Sequence, residues 1–150
     1  MKENAGFWRR VLAALIDIIP ITLLVASVFY FYYGFDDVLR SYFTQLHDLD
    51  ARREFIHERN HIRNLSFVIW ILYSILLECT AFQATFGKLL VGLKVVDQNG
   101  NRLSYLRSIV RNLLKFVSLV PFSLGFIWVA FTKQKQGWHD LVVKAFVIKK

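Results

Sequence analysis

The apolar run from Val11 to Tyr33, interrupted by one carboxylate, Asp17, and a few small polar residues, constrains this chain more than any other feature in it. As a helix rising 1.5 Å per residue it is long enough to cross the roughly 30 Å hydrocarbon layer of a bilayer. Arg9 and Arg10 precede it as in a secretory leader. The run is too long for one, however, contains Asp17 and Pro20, and ends in the aromatic stretch Phe29 to Tyr33 instead of a small-residue cleavage site. A retained first span is expected, with its aromatic end at the membrane interface.

A second run, Leu65 to Phe82, carries one carboxylate, Glu78, and reads as a second span. Between the two, Asp36 and Asp37 lead into a stretch where Val38, Leu39, Tyr42, Phe43, Leu46 and Leu49 recur at helical spacing. This reads as an amphipathic helical excursion outside the membrane. Composition agrees: 55% of residues are hydrophobic and mean hydropathy is +0.40, above the usual soluble domain. The net charge of +8 flanks the apolar runs and forms no basic block interleaved with aromatics, so a nucleic-acid partner is not expected.

Sidedness follows from where Lys and Arg fall. Lys2, Arg9 and Arg10 precede the first span, and Lys88, Lys94, Arg102, Arg107 and Arg111 follow the second. The positive-inside rule then places both termini in the cytoplasm and the excursion outside, against five Arg residues in the excursion. A third apolar run, Leu113 to Phe131, would reverse the tail if it crossed. Pro121 and Gly125 interrupt it, which predicts a broken re-entrant or interfacial segment, with a third full span as the rival. LVGLKVVD at Leu90–Asp97 and the closing KAFVIKK are strand-like and can pair as a small cytoplasmic sheet. Ser104 is a plausible cap for a helix over Tyr105 to Lys115. The expected fold is thus an all-α membrane domain spanning 1–150, with two transmembrane helices and a two-stranded sheet.

The order of these landmarks resembles the RDD family of bacterial membrane proteins. GFWRRVLAALID resembles its opening motif, with Arg10 at the family arginine and Asp17, seven residues on, at the first aspartate. Asp140 in QGWHDL matches the second aspartate. TFGKLLVGLKVVDQNG, SIVRNLLK and AFVIKK follow the same pattern, so the resemblance covers most of the chain except the excursion. Lys144-Ala145 stands where small residues and Thr are commoner. The resemblance implies a bacterial cytoplasmic-membrane protein, with cation/proton exchange attributed to some members and regulatory roles to others.

An ionised Asp17, ~10 Å inside the first helix, costs about 2.5 kcal/mol or more unless paired or protonated. Arg10, Ala13, Ala14 and Asp17 lie near one stripe, so a neighbour can approach closely there, either as a polar clasp or at a transport site. Antiparallel spans place Glu78 at a similar depth. The two carboxylates then either share a proton or a monovalent cation, or Glu78 turns to Lys88 or Arg111. Asp140 is within possible reach of Arg10, and its neighbour His139 is either a group titrating near neutrality or a hydrogen-bonding neighbour. Gly87-Lys88 lacks the earlier glycine and the hydroxyl residue of a phosphate loop. His57 and His61 have zinc spacing but no completed motif, and read as a solvated face. Cys79, the single cysteine, reads as a small hydrophobe.

No cofactor, metal or catalytic nucleophile is expected. Three functions remain: a partner or regulatory subunit for another membrane or envelope protein, a cation/proton exchange subunit working as a homo-oligomer, and last an intramembrane enzyme.

Overall fold

The computed structural model of the chain describes residues 3–119, 128–129, 131–132 and 134–150. The fold is mostly helical with one small antiparallel sheet. The elements are α1 (Phe7–Tyr32), α2 (Phe35–Thr44), α3 (Leu49–Glu78), α4 (Phe86–Leu90), β1 (Leu93–Asp97), α5 (Tyr105–Leu119), α6 (Trp138–Val143) and β2 (Ala145–Lys149).

α1 and α3 are each long and apolar enough to cross a membrane. Both depart from the sequence-read bounds. α1 starts four residues before Val11, so Arg10 is already helical. α3 starts at Leu49 instead of Leu65, because the charged second half of the excursion continues into the second span without a break. It ends at Glu78, and Cys79 to Phe82 form a turn instead of its last residues. Pro20 lies inside α1 without ending it.

The chain forms two compact units, one of Met1–Asp17 with Ile71–Lys150 and the other of Ile18–Trp70. In the second unit, Gly34 adopts φ +72° between α1 and α2, a left-handed conformation that favours glycine. The Tyr42 ring stacks on Phe55 at 4.3 Å between centroids, pinning α2 to α3. The amphipathic stretch ends at Thr44, and Phe43, Leu46 and Leu49 are exposed instead of forming a buried stripe.

In the first unit the expected strand pairing is present, with Leu93 opposite Lys149 and Asp97 opposite Ala145. The N-terminal segment adds to β2: Ala5 N–H donates to Val147 O at 2.8 Å, and Lys149 N–H to Glu3 O at 2.9 Å. Leu93, Val95, Ala145 and Val147 pack with Ala5, Ala13, Leu103 and Val143 into an apolar core. Ser104 caps α5 as expected, its Oγ accepting from Arg107 N–H at 3.4 Å, and α5 continues to Leu119. The expected break at Pro121 and Gly125 in the third apolar run lies outside the described residues.

Candidate functional site

Asp17 is buried on α1, and the elements that meet it are α3, α4 and the turn before α4. Its Oδ1 accepts the Gly87 backbone N–H at 2.7 Å and the Tyr73 hydroxyl at 3.3 Å, while Oδ2 accepts the Thr85 hydroxyl at 2.5 Å. The Tyr73 hydroxyl oxygen in turn accepts Phe86 N–H at 2.8 Å. Thr85 occupies the N-cap of α4 but makes no capping bond with its own side chain. Side chains from α1 and α3 therefore satisfy the first N–H groups of α4, which would otherwise lack partners. Gly87 makes this possible. A Cβ at that position would lie 2.1 Å from Ala13 O and 2.9 Å from Asp17 Cγ. The small-residue stripe on α1 does admit a close neighbour, and that neighbour is the backbone of α4.

Glu78, at the end of α3 and wholly buried, makes a different set of contacts. Oε2 accepts from Arg111 Nη1 at 2.6 Å and Asn112 Nδ2 at 3.1 Å, Oε1 accepts from Lys88 Nζ, and Lys115 Nζ lies 4.0 Å away. Of the two arrangements open from sequence, Glu78 takes the one with Lys88 and Arg111. Among the described residues no hydrogen bond joins Asp17 to Glu78.

Arg111 links Glu78 to Asp140. Its Nε donates to Asp140 Oδ1 at 2.7 Å, while Arg10 Nη1 donates to Oδ2 at 2.5 Å. Arg10 also donates to Ala5 O at 3.2 Å and to Lys135 O, tying α1 to the N-terminal segment and to the segment before α6. Asp140 sits at the third helical position of α6 and accepts Gly137 N–H at 3.4 Å. Burial pushes the Asp140 carboxyl up, but the Arg111 guanidinium, His139 and Arg10 outweigh it and hold it well below the usual carboxylate range. Arg111 loses by burial and gains more from Glu78 and Asp140, so its pKa lies above its ordinary value. Burial pulls Lys88 below its ordinary value despite Glu78.

His139 does not titrate near neutrality. Burial lowers it to about 3, offset only in part by Asp140 3.6 Å away. His57 and His61 are exposed on α3 with Nε2 atoms 3.2 Å apart, and Cys79 is buried. Among the described residues no group of three or more His, Cys, Asp or Glu side chains converges for a metal.

Sequence reasoning named Arg10, Asp17, Glu78, Lys88, Arg111, His139 and Asp140, and missed Tyr73, Thr85, Asn112 and Lys115 as members of the buried polar set. Asn112 and Lys115 could have been found. Lys115 lies four residues after Arg111 and three after Asn112 on α5, spacings that make side chains neighbours on a helix face. Tyr73 carried no signal, since a lone Tyr in an apolar helix is ordinary.

The RDD family model matches residues 4–144, which include every one of these side chains. The chain belongs to the RDD family. Similar RDD-type chains include the uncharacterized protein YxaI of Bacillus subtilis (strain 168), 32% identical with all of both chains covered. Another is the uncharacterized protein YckC of the same organism, 27% identical over 97% of this chain and 84% of its own length. No solved structure matches. In this RDD protein Arg10 and Asp140 form one ion pair while Asp17 accepts the Gly87 N–H at the start of α4. Family membership and two apolar helices together support a membrane location.

Proposed function

We propose that this RDD protein is a multi-pass protein of the cytoplasmic membrane that serves as a partner or regulatory subunit, its buried charges holding the architecture instead of carrying ions or catalysing a reaction. The observation that carries the reading is that both intramembrane carboxylates are already engaged. Asp17 accepts three hydrogen bonds, one of them from backbone, and Glu78 accepts three, two of them from cations. A monovalent cation at either carboxylate would have to displace those donors and leave buried N–H groups without partners, which costs about 1–3 kcal/mol each. On this reading the termini are cytoplasmic and the α2–α3 excursion is external, with Phe43 and Leu46 available to a neighbouring protein.

The test has two arms. Purified protein in proteoliposomes is expected to give no sodium-dependent proton movement from about pH 6 to 9, a range that brackets a raised carboxylate pKa. In native membranes, a photocrosslinker at Phe43 is expected to give a discrete adduct with a second protein, and none from Leu23 on α1. Flux in the unmodified protein that Asp17→Asn abolishes would replace this reading with cation/proton exchange.

A further inference from the structure

A shallow cleft runs between the first turns of α5 and the end of α6, lined by Leu106, Arg107, Val110, Val142, Val143 and Lys144. Its composition is uneven in a telling way. Leu106 and Val142 are 75% and 65% exposed, and Val110 is also exposed, so the walls present aliphatic surface outward. The two polar residues are both cations, exposed, and neither has an ion-pair partner among the described residues. Arg111, one helical turn beyond Arg107, is by contrast bound to Glu78 and Asp140. Lys144 is held by its backbone, at φ +52° with its N–H bonded to Leu141 O at 3.2 Å, so its side chain leaves α6 from a fixed point.

We infer that this cleft binds the headgroup of an anionic phospholipid, the phosphate between Arg107 and Lys144 and an acyl chain along Leu106, Val110 and Val142. A soluble anion would use the two cations but leave the aliphatic walls in water. A zwitterionic lipid would cover the walls but carries its own positive charge toward the cations. An anionic lipid matches both halves of the surface. The assignment rests on the membrane location and is independent of the partner role.

Native mass spectrometry of the full-length protein in detergent, titrated with phosphatidylglycerol, phosphatidylcholine of matched chains or inorganic phosphate, tests it. Phosphatidylglycerol is expected to bind more tightly than phosphatidylcholine. Arg107→Gln and Lys144→Gln should each weaken it about fivefold, and together roughly 25-fold, with phosphatidylcholine unchanged. Leu106→Asn should weaken both lipids, which separates the acyl wall from the charges. Equal binding of the two lipids, an unchanged double variant, or inorganic phosphate displacing phosphatidylglycerol at similar concentration overturns the assignment. Release of the protein from membranes by alkaline carbonate would instead refute the membrane location itself, so the two failures are distinguishable.

Discussion

Gly87→Ala is the sharpest perturbation of the Asp17 clasp. The added Cβ would sit 2.1 Å from the Ala13 carbonyl oxygen, a backbone atom that cannot rotate away, and 2.9 Å from Asp17 Cγ. Either α4 retreats from α1 or the Asp17 carboxylate does, and both lose the 2.7 Å bond from Gly87 N–H. Overpacking costs about 1–3 kcal/mol, and a hydrogen bond to a charged group about 1.5–3 kcal/mol. The better helix propensity of alanine returns up to about 1 kcal/mol. The balance is a loss of roughly 3 kcal/mol, on the order of 10 °C in Tm for a chain of this size. Thermal unfolding in detergent reads it, with Gly6→Ala as the control, because nothing lies within 4 Å of a Cβ there. If Gly87→Ala melts with Gly6→Ala, the close approach of α4 to α1 is not what holds Asp17.

Arg10→Ala and Asp140→Ala should each destabilise strongly, by about 3–5 kcal/mol, as removal of one member of a buried pair does; the double variant should cost less than their sum, and strict additivity in thermal melts would sink the bridge. His139 is neutral when folded, at about 3 against 6.5 unfolded, so the unfolded state binds the extra proton and stability falls as pH drops below 6.5, by up to about 1.4 kcal/mol per unit. Asp140, depressed in the fold, adds a loss of the same sign only as pH falls below its ordinary 3.8. Melting curves from pH 7 to 4.5 should therefore slope downward and flatten in His139→Gln; an equal slope in both proteins removes His139 as the cause. Cysteines introduced at Asp50 and Lys149 in a Cys79→Ser background should label from opposite sides of the membrane, Lys149 from the cytoplasm, and labelling from the same side would exclude the proposed topology.

Local chemistry made much of this arrangement legible. The strand pairing was readable because β-branched residues cluster at Val95-Val96 and Val147-Ile148, and Gly100 closes a turn at φ +82°. Arg10 and Asp140 were readable as a pair because both were expected at the same membrane interface and both are marked by the resemblance to the RDD family. The start of α3 was not, since hydropathy marks where a helix becomes apolar and not where its hydrogen bonding begins. Arg52 to Arg63 are rich in charge yet helical. The choice Glu78 makes among partners also escaped the sequence, because it depends on α5 arriving with Arg111 and Asn112 on the facing side, a tertiary outcome that spacing along α3 does not encode.

That choice bears on why so many ionic groups are buried together. Arg10 on α1, Glu78 on α3, Lys88 on α4, Arg111 and Lys115 on α5 and Asp140 on α6 give one or two ionisable members to each of these five helices. Removing these groups from water is costly, and an apolar replacement set can be as stable, so the network is weak evidence for stability as such. In lipid, however, apolar side chains gain little by leaving one apolar surroundings for another, and they do not specify which helix meets which. Ionic groups do, because a helix that docks in the wrong register leaves a charge without its counter-ion. Glu78 is the carboxylate that Lys88, Arg111 and Lys115 share, so its loss takes a counter-ion from three basic side chains at once, whereas loss of Lys88 leaves the Arg111 pairing with both carboxylates in place. Glu78→Gln should therefore disrupt the packing of α5 more than Lys88→Met does, although each removes one charge. Near-equal loss of Tm in the two variants would show that the network is read pair by pair and does not select the helix arrangement.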